Sequence, residues 1–310
     1  MRNHFVKKLV ELAEINPDIW LLTADLGFSA LEPFIEQFPE RYINMGVAEQ
    51  NMAGVAAGLA LSGKTVFIYS IANFPSLRCL EQIRNDICYH NVNVNIVSVG
   101  AGYSYSSQGY THHGIEDLAI LRHLPNITIA SPCDPYETMS VTEKISNIKG
   151  PSYLRLAKTG EPCLYKSLPK LEVGQPAILQ EGEDVLLITT GGIAVEALKT
   201  AEMLKDIDIS ATVWSMPFIK PITLSPLYDT MEKYKVILTI EEGCRSGGLG
   251  TAIAEFMDDN NININKIVRL GIPDDAILTT AVTQEKARSE YGLDADSIIA
   301  IIMKTLNIDV

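Results

Sequence analysis

Residues 66–99 read VFIYSIANFPSLRCLEQIRNDICYHNVNVNIVSV, two apolar runs of strand length with a helical stretch between them. Val66–Tyr69 and Val94–Val99 read as strands and 75–90 as the helix joining them. A strand, a helix and a second strand in this order make the unit from which parallel sheets are built. The same alternation runs outward in both directions. Upstream, Phe5, Leu9, Leu12 and Ala13 recur at helical spacing until Asn16-Pro17 stops the helix. Ile19–Thr23 then reads as a short buried strand, Asp25-Leu26-Gly27 as a turn and 46–61 as a helix. Downstream come a helix at 116–123, a strand at Thr128–Ala130 and a helix at 135–147.

Between Pro162 and Glu183 the chain turns irregular and polar, with three prolines and two glycines, as a linker does. The alternation then restarts. Strands are expected at Val185–Thr189, 211–215, 236–241 and 266–270, and helices at 194–205, 224–234, 249–258 and 295–305. The expectation is an α/β protein of two domains, 1–170 and 183–310, each a mostly parallel sheet with helices on both faces.

The whole chain has 310 residues, 47% of them apolar and 20% charged, which excludes disordered and fibrous classes. Its net charge of -13 repels a phosphate backbone, and no Lys/Arg run offsets it, so nucleic acid is not an expected partner. Five scattered cysteines without a C-x-x-C pair read as reduced thiols of a cytoplasmic protein. No stretch approaches the ~20 apolar residues of a membrane span, and the first residues lack the apolar core of a signal peptide.

Three segments carry chemistry. In Asn44-Met45-Gly46-Val47-Ala48-Glu49-Gln50-Asn51-Met52-Ala53-Gly54-Val55-Ala56-Ala57-Gly58, Glu49 opens a helix of small and apolar residues. Burial of a carboxylic acid favours its protonated form unless a partner charge intervenes, and such an acid can give a proton to a heterocycle. Equally, a glutamate in a first turn is favoured by the helix dipole alone. Gly54 and Gly58, four apart, leave one face bare for close approach of another backbone. The second segment, Ser104 to Glu116, follows a strand and holds His112 and His113 in a hydroxyl-rich loop, suited either to sugar hydroxyls or to plain solvation. The third, Asn73-Phe74-Pro75-Ser76, puts an aromatic at the rim of the sheet, to stack on a flat ring or to fill the core. A glycine-rich turn, Gly243–Gly250, has backbone N–H groups for an anion, although tight packing of a helix on the sheet explains it more simply.

Together, G-V-A-E-Q-N-M at 46–52, Phe74 and G-Y-T-H-H-G at 109–114 resemble the pyrimidine-binding domain of the thiamine diphosphate enzymes of the transketolase superfamily. Met216-Pro217-Phe218-Ile219-Lys220-Pro221-Ile222, Ile240-Glu241-Glu242-Gly243 and Leu270-Gly271-Ile272-Pro273-Asp274 resemble that family's C-terminal domain. The resemblance implies that Glu49 hydrogen-bonds N1′ of the cofactor's aminopyrimidine, favouring the tautomer whose nitrogen removes the thiazolium C2 proton. It implies that Phe74 stacks on that ring and that His112 contacts donor hydroxyls near the reacting carbon. Arg2, Ser29, Gln108 and Lys158 fall where the family binds the rest of the sugar, with Gln108 in place of an aspartate and Lys158 in place of an arginine. Ala101 stands where the family has a further histidine.

The Gly-Asp-Gly motif, followed by Asn, with which the family holds Mg²⁺ and the diphosphate is missing from this sequence. The resemblance therefore implies a split enzyme. An N-terminal transketolase-like subunit would carry the G-D-G…N motif and the metal, in an α2β2 assembly with the Glu49 helix near a two-fold axis. The implied reaction transfers a two-carbon ketol unit between sugars, with a split deoxyxylulose-phosphate synthase or a 2-oxo-acid decarboxylating subunit as alternatives and a non-catalytic regulatory subunit as the reading outside enzymes.

Overall fold

The computed structural model describes the chain except residues 159, 224–226, 263–265, 276–277, 279 and 309–310, and the side chains of 227–229. Strands β1 (Ile19–Thr23), β2 (Tyr42–Asn44), β3 (Thr65–Ile71), β4 (Val94–Val99), β5 (Thr128–Ala130) and β6 (Ser152–Leu156) form a parallel sheet. A second sheet holds β7 (Ala177–Gln180), β8 (Val185–Thr190), β9 (Ala211–Ser215), β11 (Val236–Cys244) and β12 (Ile267–Ile272), in the order β12-β11-β8-β9-β7 with β7 antiparallel. Between β9 and β11 the short strand β10 (Phe218–Lys220) crosses back and pairs antiparallel with β5, giving the first sheet the order β10-β5-β6-β4-β3-β1-β2. The fold expected from the alternation is present.

Strands β3 and β4 show why the sheet forms. Alternate side chains go to opposite faces of a strand. Phe67, Tyr69, Val97 and Val99 enter one core, with Phe5 and Leu9 of α1 (Arg2–Ile15), Phe34 of α2 (Glu32–Gln37) and Val141 and Ile145 of the helix Pro135–Asn147. Val66, Ile68, Val94 and Ile96 enter the other, with Met52, Ala53 and Ala56 of α3 (Glu49–Leu61). This second core continues without a break into the other sheet through Leu186, Ile188, Trp214 and Ile237. That continuity joins the two halves.

Several boundaries differ from the sequence expectation. The helix expected from 46 starts at Glu49, because Gly46 takes φ +69 and turns Ala48 N–H onto its own carbonyl at 2.7 Å. The helix expected at 75–90 starts only at Leu80 and becomes a π-turn over Ile83–Cys88. Residues 72–79 form a loop, since the Ser76 hydroxyl donates to Ala72 O at 3.0 Å and Arg78 N–H to Asn73 O at 3.2 Å. Residues 227–233 form a 3₁₀ turn rather than an α-helix, and 224–226 of that expected helix lie outside the described residues. Within the expected linker, 161–176 carry no regular element but Ala177–Gln180 are strand.

Candidate active site

All strands of the first sheet except β10 are parallel, so the segments that follow them emerge at one edge. In open α/β sheets this carboxyl edge is where ligands bind. Ser29 follows β1, Glu49 follows β2, Phe74 follows β3, Gln108 and His112 follow β4, and Lys158 follows β6. Arg2 joins them from the start of α1, whose preceding Met1 amino group donates to Glu161 at 2.9 Å.

Three of these residues stand in a row. Glu49 is 3% exposed, and its Oε2 accepts from Arg78 Nη1 at 2.8 Å. The Arg78 guanidinium carbon lies 4.7 Å from the centre of the Phe74 ring, a cation–π distance. Phe74 in turn meets His112 edge to face, with centroids 5.4 Å apart. Arg78 is thus the partner charge that the sequence of the Glu49 helix left open. No motif marks it; the signal was only a lone cation four residues after Phe74. The loop that holds both starts at Ala72, whose φ of +38 is unusual for a residue with a Cβ and is typical of functional sites. Beside it, burial and then the charge of Glu49 push the Cys79 thiol up to about 12, so that sulfur is an inert packing group.

The two adjacent histidines divide their work. His113 is buried: its carbonyl accepts from Asn73 Nδ2 at 2.8 Å, and its ring meets Tyr103 edge to face at 5.1 Å. It builds the loop. His112 is half-buried with Nδ1 3.0 Å from the Thr111 hydroxyl, and Gln108 is exposed nearby on the same loop.

Of the cationic residues, Lys158 lies nearest Tyr105. Lys158 Nζ lies 5.8 Å from the Tyr105 ring centre. Burial raises the Tyr105 phenol, and the charge of Arg2 opposes that rise. Lys158 also opens onto a cleft of ≈ 660 Å³ at the seam between the two sheets, lined by Ser104, Ser107 and Lys199. Ser29 stands apart: it is exposed at φ +58, its N–H on Glu32 at 2.7 Å, beside a separate groove lined by Val6 and Val10. The structure therefore brings together Glu49, Phe74 and His112; Lys158 lies beside Tyr105, whose phenol also feels the charge of Arg2, and Ser29 lies at the rim.

The glycine turn holds no free anion site at its helix. The N–H groups of Leu249 and Gly250 both donate to the Glu241 carboxylate, at 2.8 and 2.9 Å. Burial raises Glu241 to about 7.

A nearly buried acid and a half-buried aromatic, joined by Arg78, thus stand at the carboxyl edge of a parallel sheet, where α/β proteins of the ligand-binding class take their ligands. The comparisons agree with that class. The family profile "Transketolase, pyrimidine binding domain" matches residues 1–160, and "Transketolase, C-terminal domain" matches 174–298. The chain belongs to the transketolase family. It is 38% identical, over 99% of its length and 96% of the relative's, to a putative transketolase C-terminal section from Methanocaldococcus jannaschii. It is 32% identical to a subunit of the apulose-4-phosphate transketolase from Actinobacillus succinogenes, covering 98% and 97% of the two chains. The solved structure titled "Split gene transketolase, inactive beta4 tetramer" superposes with a TM-score of 0.87 at 37% identity, over 100% of this chain and 98% of that one. A 1-deoxy-D-xylulose-5-phosphate synthase from Syntrophus aciditrophicus is 33% identical, but the chain spans only 46% of it. The chain is thus an enzyme subunit of the split transketolase type, matched end to end by separate sections.

Proposed function

We propose that this subunit forms half of a thiamine diphosphate site and transfers a two-carbon ketol unit between sugar phosphates. The observation that carries the reading is the row of Glu49, at the start of α3, Phe74 and His112, on three segments that follow neighbouring strands. When bound, thiamine diphosphate would supply the nucleophilic carbon and the electron sink that ketol transfer requires.

The chain's own residues do the rest. Glu49 would hold the pyrimidine at N1′, with Arg78 fixing its carboxylate through Oε2. Phe74 would stack on the pyrimidine and keep water from it. His112 and Gln108 contact donor hydroxyls. Arg2 and Lys158 attract the sugar's phosphate, with Ser29 at the rim, and their charge favours a phosphorylated substrate over a 2-oxo acid. The name of the apulose-4-phosphate relative supports the same substrate class.

The residues present suit the pyrimidine half of the cofactor only. Mg²⁺ and the diphosphate fall to an N-terminal transketolase-like subunit with the G-D-G…N motif, because no Gly-Asp-Gly occurs here and a net charge of -13 is ill suited to a diphosphate. The related β4 tetramer, described as inactive, supports the need for that partner. Val47 is 77% exposed beside Glu49, and Cβ atoms added at Gly54 and Gly58 would meet nothing within 4 Å. This open apolar face is the contact surface of an α2β2 assembly. The five cysteines are free, in keeping with a cytoplasmic enzyme, and no helix among the described residues is long and apolar enough to cross a membrane.

In the reconstituted complex, Glu49→Gln lowers turnover by on the order of 10² or more, as loss of acid–base function does. Unchanged ketol transfer would favour a regulatory subunit. Release of CO₂ from pyruvate without ketose cleavage would instead select the decarboxylating alternatives. By calorimetry, the isolated subunit binds thiamine diphosphate and Mg²⁺ weakly or not at all; tight binding would contradict a divided site.

A further inference from the structure

We infer that Glu242, in the second sheet, is a positioning residue for the loop that carries Gln108 and His112. The inference rests on the proposed role of that loop in binding the sugar. Gly102 N–H donates to Gly114 O at 2.8 Å and Gly114 N–H to Gly102 O at 3.1 Å, so residues 103–113 form a closed loop with a narrow neck. Glu242 holds both sides of the neck. Its Oε1 accepts the Tyr103 N–H at 2.6 Å, at the loop's entry. Its backbone carbonyl accepts Arg155 Nη2 at 3.0 Å, and the same nitrogen donates to Gly114 O, at the loop's exit.

The carboxylate is itself fixed by its own domain. Gln284 Nε2 donates to Oε1 at 2.8 Å and Arg288 Nε to Oε2 at 2.6 Å, both from the helix Gln284–Glu290. Glu242 is 5% exposed, so these charge-assisted bonds are sheltered from water. The approach is close enough to require glycine: Gly102 has φ +57, and a Cβ there would lie 2.5 Å from Glu242 Oε1. Two further contacts tie the loop to the same domain. The Ser106 hydroxyl donates to Val282 O at 2.6 Å, and the Tyr103 and Tyr291 rings stack with centroids 5.7 Å apart. Glu49 and Phe74 sit on other segments. The second domain therefore holds the sugar-contacting side chains directly, and reaches the pyrimidine wall only through them, by way of Asn73 on His113 O and Phe74 on His112.

The test uses the reconstituted complex and follows kcat, the donor ketose KM and half-saturation by thiamine diphosphate. Glu242→Ala lowers kcat/KM about 10- to 100-fold, as loss of a buried charge-assisted bond does, with cofactor half-saturation within about twofold of the parent. His112→Ala lowers kcat/KM as well, and the double variant loses less than the product of the two single losses, because part of the effect of Glu242 passes through His112 and the rest through Gln108. Additive losses, or a parallel fall in cofactor affinity, overturn the inference. Should Glu242→Ala fail to fold, Tyr291→Leu shows the same pattern at a smaller size. If His112→Ala leaves KM unchanged, the sugar-binding reading fails on its own. Hydrogen exchange then decides the positioning: amides 103–113 exchange faster in Glu242→Ala, and unaltered protection rejects it.

Discussion

Glu49 is nearly buried while its partner Arg78 has about half its side chain in water, so this ion pair is lopsided. Solvent screens the arginine and weakens its contribution to folding, yet the carboxylate still depends on it for orientation. Arg78→Met frees Oε2 to rotate and leaves a nearly buried acid unpaired. We expect kcat to fall about tenfold and half-saturation by thiamine diphosphate to rise, with folding retained. Arg78→Lys, which keeps the charge without the planar fork that covers Phe74, recovers part of the loss in the same assay.

Among the elements, α3 has the most specific composition. Met52, Ala53, Ala56 and Ala57 bury one face, while Gly54 and Gly58 leave room on the other. Glycine costs about 1 kcal/mol in a helix relative to alanine, so two glycines with open space around them serve something other than the fold of a single chain. In Gly54→Leu/Gly58→Leu, the melting temperature of the isolated subunit holds or rises while sedimentation shows a smaller assembly. Loss of folding would mean that the face is already packed.

Which elements were legible follows from burial. Strands β1, β4 and β8 read correctly because both faces are covered, so nearly every side chain is apolar or a small hydroxyl. The strand β2 is three half-exposed or exposed residues at a sheet edge, and β7 is a similar edge of four. Neither is long enough to show a period. The strand β6 was hidden by Arg155, a buried charge that makes sense only beside Asp117, 2.9 Å away on a different element. The site was legible where motif residues carried it, Glu49, Phe74 and His112. Arg78 and Glu242 were not, because their partners are distant in sequence and only the fold brings them together.

At the scale of the whole molecule, Glu241 links stability to pH. Its carboxyl is raised to about 7, chiefly by burial, against an ordinary value near 4.5. A raised acid favours the folded state while protonated; that contribution is complete below about 4.5 and is lost as the pH rises through about 7. Glu241→Gln cannot titrate there. Its stability therefore lies furthest below the parent's near pH 5, and the gap narrows by pH 8, by up to about 3 kcal/mol. A gap that is constant across this range, measured by calorimetry, would mean that the two N–H donors of Leu249 and Gly250 already outweigh burial.

The strand β10 comes from the later half of the chain and covers β5 in the earlier half. A gene severed anywhere in 161–176 would strip that cover and bare a ladder of unpaired amides and carbonyls, an invitation to stick to neighbouring chains. Evolutionary shuffling of this polypeptide is thereby constrained.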